Sequence, residues 1–383
     1  MSSPTRPIKV LNLTSTPAGI GGVESLLLSA AGKYDTRRFD VAFCNLFDAR
    51  GEDSVFPAAL QARGARLLDV PGQKWRDLPA LVTGLAQLLR RERFDVLHSH
   101  MLHATLVGHL AGSIARVPVR IASRQYTREP YQNKGRWMRA LDRRAFRTAT
   151  HVVAVSGAVR AVLVDEDGVA PERISVISNS IDIAAIDAAE LGAPLPWDAS
   201  WDGSFLLGYV ASLTWRKDHA NLLRAFAQVV AQEPRARLVL VGEGPEEAGL
   251  KALAAELRLE GRVLFTGRRN DVPALARHFH LYVHPPRHEA FGIAVVEAMA
   301  LAKPVVATRV DGIPEVLGED AGLLVPPGDP AALAAAILKT MRDPRAGAGM
   351  GACGRQRAER HFAVEVMVER YQELYSRFAN GSS

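Results

Sequence analysis

Two rhythms of hydrophobic residues take turns along this chain. Short aliphatic runs at 8–13, 39–45, 65–70, 95–98, 119–123, 151–155 and 174–177 have the length and β-branched content of strands. Between them, as at 78–91 and 104–114, apolar residues recur every three or four positions, which predicts helices with one buried face. A second series of runs follows at 205–211, 237–241, 263–266, 281–284, 305–308 and 322–325, separated by helical patterns such as 220–231. Alternation of strands and helices predicts parallel sheets covered by helices on both faces. Between the two series, 191–203 is rich in Pro and Gly and has no period, so it predicts a linker and hinge. The chain reads as α/β in two successive halves, with no repeated sequence between them. A last apolar stripe, Val364, Val368, Tyr371 and Tyr375, predicts a helix over 362–378.

The stretch 281–308, LYVHPPRHEAFGIAVVEAMALAKPVVAT, reads as strand, loop, helix and strand. Pro285 and Pro286 end the strand, because proline removes a ladder donor. Gly292 opens a helix with apolar positions Ile293, Val296, Met299 and Ala300, and Pro304 forbids its continuation beyond Lys303. The start of such a helix leaves N–H groups unpaired and carries partial positive charge, which suits a diphosphate. A glycine there lets the ligand approach the backbone. Glu297 can accept hydrogen bonds from a pair of hydroxyls, such as those of a ribose, and Glu289 in the loop can reach a different part of the ligand. Each carboxylate also has an ordinary alternative: Glu297 as an exposed helix residue, Glu289 as a first-turn acid favoured by the dipole.

Other candidate chemistry falls at strand ends, where ligands of parallel sheets bind. The first strand runs into a glycine-rich turn, 16–24, holding Gly21 and Gly22 before an apolar helix. This is a candidate phosphate cradle or simply a tight strand-to-helix connection, since its spacing is not G-x-G-x-x-G. His98, Ser99 and His100 end one run, and Arg124, Gln125 and Tyr126 end the next. Lys217, with Arg216 beside it, lies between the run at 205–211 and an apolar helix, where an ammonium can neutralise a departing diphosphate or merely cap a loop. Gly242 and Glu243 end a further strand, and Asp311 follows the strand at 305–308.

Composition adds a few exclusions. With 383 residues there is room for two domains, and 48% apolar with 23% charged residues is a globular balance. No run of about eighteen apolar residues spans a bilayer, and the N-terminus does not read as a signal peptide. Cys44 and Cys353 lie far apart and suggest neither a disulfide framework nor a metal cluster, in keeping with a cytoplasmic location. A net charge of +6 and a pI near 9.5 admit phosphates, anionic lipid or nucleic acid as partners. No helix-turn-helix, RNA-binding signature or zinc spacing supports nucleic acid. The basic stretch 124–147 interleaves Trp137, Met138, Leu141 and Ala145 at helical spacing, which fits either an ordinary surface helix or one lying on an anionic membrane.

Glu289-Ala-Phe-Gly292, the seven residues separating Glu289 from Glu297, the Glu-Ala-Met-Ala that follows and Lys303-Pro-Val-Val-Ala together resemble the retaining glycosyltransferases of family 4. The resemblance covers nearly the whole chain and is strongest over 205–329. It implies the GT-B fold: two Rossmann-like domains with parallel sheets facing across a cleft, and a C-terminal helix crossing back to the first. The implied domains are 1–190, on the acceptor side, 203–362, on the donor side, and 363–383. The implied reaction moves a sugar from a nucleotide-diphosphate sugar to an acceptor hydroxyl with retention, needing no metal and no cofactor.

By the same resemblance Glu289 contacts the donor sugar, Glu297 holds the ribose, and the Phe291-Gly292-Ile293 backbone binds phosphate. Gly21 and Gly22 contact donor or acceptor, and Gly242 and Glu243 lie beside the base. Where the family places an arginine and a Lys-Gly pair on phosphate, this chain has Ser212, Lys217 and Asp218, leaving Lys217 alone or with Arg216. Gln125 stands where members often carry a histidine, so either Gln125 only positions the sugar or His100 takes over that role. Asn179-Ser180 replaces the usual Asn-Gly. The resemblance places the acceptor in polysaccharide, lipopolysaccharide or glycolipid synthesis, with 134–147 a candidate anchor at the inner membrane face. Two rivals stay open: another sugar-nucleotide enzyme of this fold, an epimerase or phosphorylase, and a non-catalytic basic binding protein.

Overall fold

The structure is a computed structural model that describes residues 6–15, 21–46, 55–70, 77–127, 136–192 and 194–381. The 16–20 part of the glycine-rich turn at 16–24, and Lys134, lie outside the described residues. Each aliphatic run of the sequence becomes a strand, and the pairings between these strands are parallel. In order, the first series is β1 (Ile8–Thr14), α1 (Gly22–Ala30), β2 (Phe39–Asn45), α2 (Val55–Ala62), β3 (Arg66–Leu67), α3 (Leu78–Glu92), β4 (Val96–His100), α4 (Leu102–Ala115), β5 (Val119–Arg124), α5 (Arg136–Thr148), β6 (His151–Ala154), α6 (Gly157–Asp165) and β7 (Ile174–Val176). The second is α7 (Ile183–Asp187), β8 (Phe205–Val210), α8 (His219–Gln232), β9 (Ala236–Val241), α9 (Glu247–Glu256), β10 (Val263–Phe265), α10 (Val272–Ala276), β11 (Leu281–His284), α11 (Ile293–Ala300), β12 (Val305–Thr308), α12 (Ile313–Leu317), β13 (Gly322–Val325), α13 (Pro330–Arg342) and α14 (Pro344–His361). The chain ends on α15 (Val364–Ala379).

Two compact units result, one of 1–180 with 364–383 and one of 181–363. The sheet of the first has strand order β3-β2-β1-β4-β5-β6-β7, and that of the second β10-β9-β8-β11-β12-β13. Each order reverses once, between β1 and β4 and between β8 and β11. Beyond the C-terminal ends of those strands lies the crevice in which such sheets bind ligands.

Alternate residues of the first sheet feed two buried layers. Leu11, Leu13 and Leu97 pack with Leu85 of α3 and Val107 of α4, while Val10, Val96 and Ile121 pack with Leu26 of α1 and Met367, Tyr371 and Tyr375 of α15. The last helix therefore belongs to the first unit, as its apolar stripe allowed. It is held by polar contacts too. His98 shares Nδ1 with the Tyr375 hydroxyl at 2.7 Å and Nε2 with Ser123 Oγ at 2.7 Å.

Three expectations shift. The units divide at Ser180/Ile181 and Ala363/Val364, not at 190–203, and the two crossings are tied by the Ile181 N–H donating to Phe362 O at 2.9 Å. The stretch 191–203 lies inside the second unit rather than acting as its linker. Its Gly192 N–H donates to Asp271, and Trp197, stacked on Trp201 at 5.9 Å, meets the His278 ring edge-on at 6.1 Å, so contacts with the second unit tie it down despite its composition. Finally, β4 ends at His100, as the run at 95–98 with His98, Ser99 and His100 at its end predicts, but both histidines are buried rather than open to a ligand. Their rings, two residues apart on one face, sit 4.1 Å from each other.

Tyr375→Phe keeps the packing and removes only the hydroxyl, leaving a buried histidine nitrogen unpaired. We expect a loss of about 1–3 kcal/mol in chemical denaturation. A change below a few tenths of a kcal/mol would mean that the α15 anchor is purely apolar.

Candidate active site

In the second unit the reversal of strand order sets the loops after β8 and β11 side by side. After β8 the chain makes a single helical turn at 215–217 and enters α8 through Asp218, whose φ of 47° is the left-handed conformation usually given to glycine. This is the position where the family motif has glycine. The Tyr209 hydroxyl donates to Lys217 O at 2.8 Å and fixes the turn. After β11, Pro285 and Pro286 release the chain into the loop of Glu289. That loop is clamped from both sides. Arg287 pairs with Asp218 at 3.1 Å, and its N–H donates to Arg216 O at 2.8 Å. The Glu289 N–H donates to Asp311 Oδ2 at 2.9 Å, and Glu289 O accepts from the Gly312 N–H at 3.1 Å.

The clamp brings Glu289 against Lys217, whose ammonium donates to Oε2; the two side chains are 16% and 21% exposed. His284, the last residue of β11, lies with Nε2 3.3 Å from the same oxygen. Burial pushes the Glu289 carboxyl up, but the Lys217 charge and the His284 hydrogen bond outweigh it and hold it at about 2. Burial keeps His284 itself below the usual histidine range.

Gly292 caps α11 with φ 93°, a conformation that a side chain would strain. Among the described residues the N–H groups of Gly292, Ile293 and Ala294 find no acceptor, so three donors at the positive end of the helix stay open. Phe291 offers only its backbone, because its ring is buried edge-on against Phe362. Glu297 follows on α11, half-buried and without a hydrogen-bond or ionic partner among the described residues. Burial pushes its carboxyl up to about 7. The two carboxylates of the motif thus differ: Glu289 is ionised throughout the working range, whereas Glu297 titrates near neutrality.

The remaining expected residues fall into two groups. Gly242 and Glu243 close on the loop after β8: Gly242 has φ 139°, a Cβ there would lie 2.1 Å from Ala211 O, and Glu243 O accepts from the Leu213 N–H at 2.9 Å. Glu243 is exposed, 3.9 Å from Arg268. Arg216 is half-buried beside Lys217, and Ile293 is half-buried at the first turn of α11. Gly21, Gly22, His100 and Gln125 belong to the first unit. The Gly21 N–H is occupied by the Glu24 carboxylate at 2.9 Å, an N-cap contact, while Gly22 opens α1 exposed. His100 is 1% exposed, bonded through Nε2 to Asn12 Oδ1 at 3.0 Å, and burial lowers it to about 3. It is a neutral histidine and exchanges no proton near pH 7. Gln125 Oε1 accepts from Asn179 Nδ2 at 2.8 Å, so its amide is oriented by the very Asn-Ser turn that departs from the motif.

Sequence reasoning passed over His284, read only as a strand end, and gave Asp311 only a place after the strand at 305–308. The available signal was a histidine closing a buried strand five residues before the motif carboxylate. Among the described residues no group of three or more His, Cys, Asp or Glu side chains could hold a metal ion.

Two parallel-sheet α/β units, with the C-terminal helix returned to the first, define the GT-B architecture of glycosyltransferases. Residues 20–185 match the family described as Glycosyltransferase Family 4, and residues 198–357 match that described as Glycosyl transferases group 1. The chain belongs to glycosyltransferase family 4, and it is a glycosyltransferase. It is 28% identical to the N-acetyl-alpha-D-glucosaminyl L-malate synthase of Bacillus anthracis, over 77% of this chain and 78% of that one. It is 27% identical to the 2-deoxystreptamine glucosyltransferase of Streptomyces kanamyceticus, over 75% and 78%. Among solved structures, Anabaena HepE in complex with UDP-glucose superposes with a TM-score of 0.83 at 25% identity, covering 96% of this chain and 99% of that one.

The low carboxyl pKa of Glu289 makes a test of its pairing. A carboxylate held below its unfolded value contributes stability that is present above about pH 4.5 and is lost as pH falls towards 2. Glu289→Gln should therefore flatten the loss of unfolding free energy between pH 5 and pH 3, by an amount on the order of 1–3 kcal/mol. Unchanged acid sensitivity would show that Lys217 does not stabilise the charge.

Proposed function

We propose that this protein transfers a sugar from a UDP-sugar to an acceptor hydroxyl, with retention at the anomeric carbon and without a metal ion. The observation that carries this reading is the convergence in the second unit of an ionised Glu289 paired with Lys217, three open N–H donors at the start of α11 and a partnerless Glu297. In this reading the diphosphate lies on the Gly292 and Ile293 N–H groups and takes charge compensation from Lys217, with Arg216 beside it. Glu297 accepts from the ribose hydroxyls, and Gly242 and Glu243 border the base. Glu289, always ionised, accepts from a donor-sugar hydroxyl and faces the positive charge that develops at the anomeric carbon. As the bond to phosphate breaks, the departing oxygen takes the acceptor's proton, and the new bond forms on the same face of the sugar. Gly21, Gly22 and Gln125 are the candidate donor or acceptor contacts within the first unit, while His100, neutral, buried and bonded to Asn12, does not act as a base.

HepE, solved with UDP-glucose, favours a UDP-sugar as donor. The acceptors in the names of the relatives, L-malate and 2-deoxystreptamine, differ from each other, so the acceptor is assigned by class: a saccharide, lipid-linked or small-molecule hydroxyl, in polysaccharide or glycolipid synthesis. The test is incubation with a panel of nucleotide sugars and acceptors in the presence of a chelator. Mass spectrometry would read release of the nucleoside diphosphate, and NMR the anomeric configuration of the product. Retained configuration and undiminished turnover are expected. An inverted anomer, isomerisation of the sugar without acceptor, or a requirement for divalent metal would contradict the reading.

We also infer that α5 docks on an anionic membrane surface at the cytoplasmic face. Trp137 is 63% exposed and Leu141 41%, one turn apart, whereas Ala145 and Phe146 turn inward, so the expected apolar stripe divides between core and surface. Arg139 and Arg143 are already paired with Glu166 and Asp167, and Arg147 donates to Asp167 O, so among the described side chains of α5 it is Arg144, exposed, that meets lipid headgroups. No described helix is long and apolar enough to cross a membrane. Trp137→Ala with Leu141→Ala should abolish co-sedimentation with anionic vesicles; undiminished pelleting would remove α5 as the anchor.

The pKa of Glu297 gives the donor site a pH signature. Hydroxyl donors bind the carboxylate, so donor affinity should rise by about tenfold between pH 6 and pH 8, as the group near 7 ionises. Glu297→Gln should weaken binding by about 1.5–3 kcal/mol at pH 8 and remove the pH dependence. Calorimetric titration with UDP-glucose, whose diphosphate does not titrate in this window, reads both. A pH-independent wild type would contradict the ribose assignment.

A further inference from the structure

The Glu289 carboxylate is held asymmetrically. Lys217 Nζ and His284 Nε2 both approach Oε2, and among the described residues Oε1 has no partner. The ionised carboxylate only accepts, so the proton of His284 sits on Nε2 and Nδ1 carries the lone pair. Nδ1 is buried without a partner, beneath Tyr209 at a ring distance of 5.5 Å and Tyr282 at 6.1 Å. His284 is 1% exposed and ends a central strand, so it cannot reach a ligand and cannot readily turn. Lys217 differs in kind. Its ammonium is a point charge on a flexible stem, able to leave Glu289 for a phosphate oxygen.

We propose that His284 is a positioning residue for the transfer: it holds Glu289 Oε2 in place so that Oε1 stays presented to the donor sugar while Lys217 turns to the diphosphate. This rests on the reading of Glu289 as the donor-sugar contact. Two donors on one oxygen are redundant in the resting protein and become necessary once one of them is borrowed.

The experiment compares His284→Leu, His284→Gln and Glu289→Gln in the full-length enzyme, with turnover normalised to the folded fraction from thermal melts. His284→Leu should lower kcat by about 10- to 100-fold, the range for losing a hydrogen bond to a charged group, with donor KM within about twofold. His284→Gln places an amide N–H near the position of Nε2 and should restore most of kcat. Should the leucine variant not fold, His284→Met makes the same comparison. Wild-type kcat in His284→Leu alongside an inactive Glu289→Gln would overturn this inference alone. A glutamine variant as poor as the leucine one, with normal melting, would overturn it too, because shape and not the N–H would then matter. Normal turnover in both His284→Leu and Glu289→Gln would overturn the role of Glu289 and this inference with it.

Discussion

The ion pair between Lys217 and Glu289 is the constraint on which the site depends. A carboxylate only 16% exposed must find charge and hydrogen bonds within the protein or give up its ionisation. Here it finds both on one oxygen. Glu297, only eight residues further on, finds neither, and its carboxyl drifts up to about 7. One sequence motif therefore produces two acids of opposite character, separated by what their neighbours supply.

That pairing is possible only because of the sheet. Lys217 follows β8, Glu289 follows β11, and Asp311, which anchors the Glu289 backbone, follows β12. These strands are neighbours in space, although tens of residues separate β8 from β11 in the chain. Reversal of strand order next to β8 opens the space above them, and the helix after β11 aims its unpaired N–H groups into the same region. The fold contributes position, and the side chains contribute the sign and strength of the charge.

Much of this was legible in the chain. Strands buried on both faces appear as continuous aliphatic runs, so their number and parallel arrangement follow from hydrophobicity alone. The motif residues Glu289, Gly292 and Lys217 fall together as expected, and Asp218 adopts the glycine-like conformation its position demands. The features that escaped notice depend on contacts distant in sequence. Helix α14 carries glycines at 347, 349, 351 and 354, each unfavourable to a helix by itself; close packing explains two of them, since a Cβ at Gly351 would lie 2.1 Å from Ala302 O and one at Gly354 would meet Met299 of α11 at 3.3 Å. The stretch 191–203 has the composition of a linker but is tied down by Gly192 on Asp271 and Trp197 on His278. His98 and His100 do stand at the end of β4, but their burial on Tyr375, Ser123 and Asn12 depends on distant residues. His284 has no motif at all, and its relation to Glu289 exists only in three dimensions.

The most direct test of the account is a crystal structure of the protein with an intact UDP-sugar. We expect the diphosphate within hydrogen-bond distance of the Gly292 and Ile293 N–H groups and of Lys217 Nζ, the ribose hydroxyls on Glu297, and Glu289 Oε1 on the sugar while Oε2 stays with His284. A nucleotide bound elsewhere, or a Lys217 that keeps its place on Glu289 without touching phosphate, would contradict it.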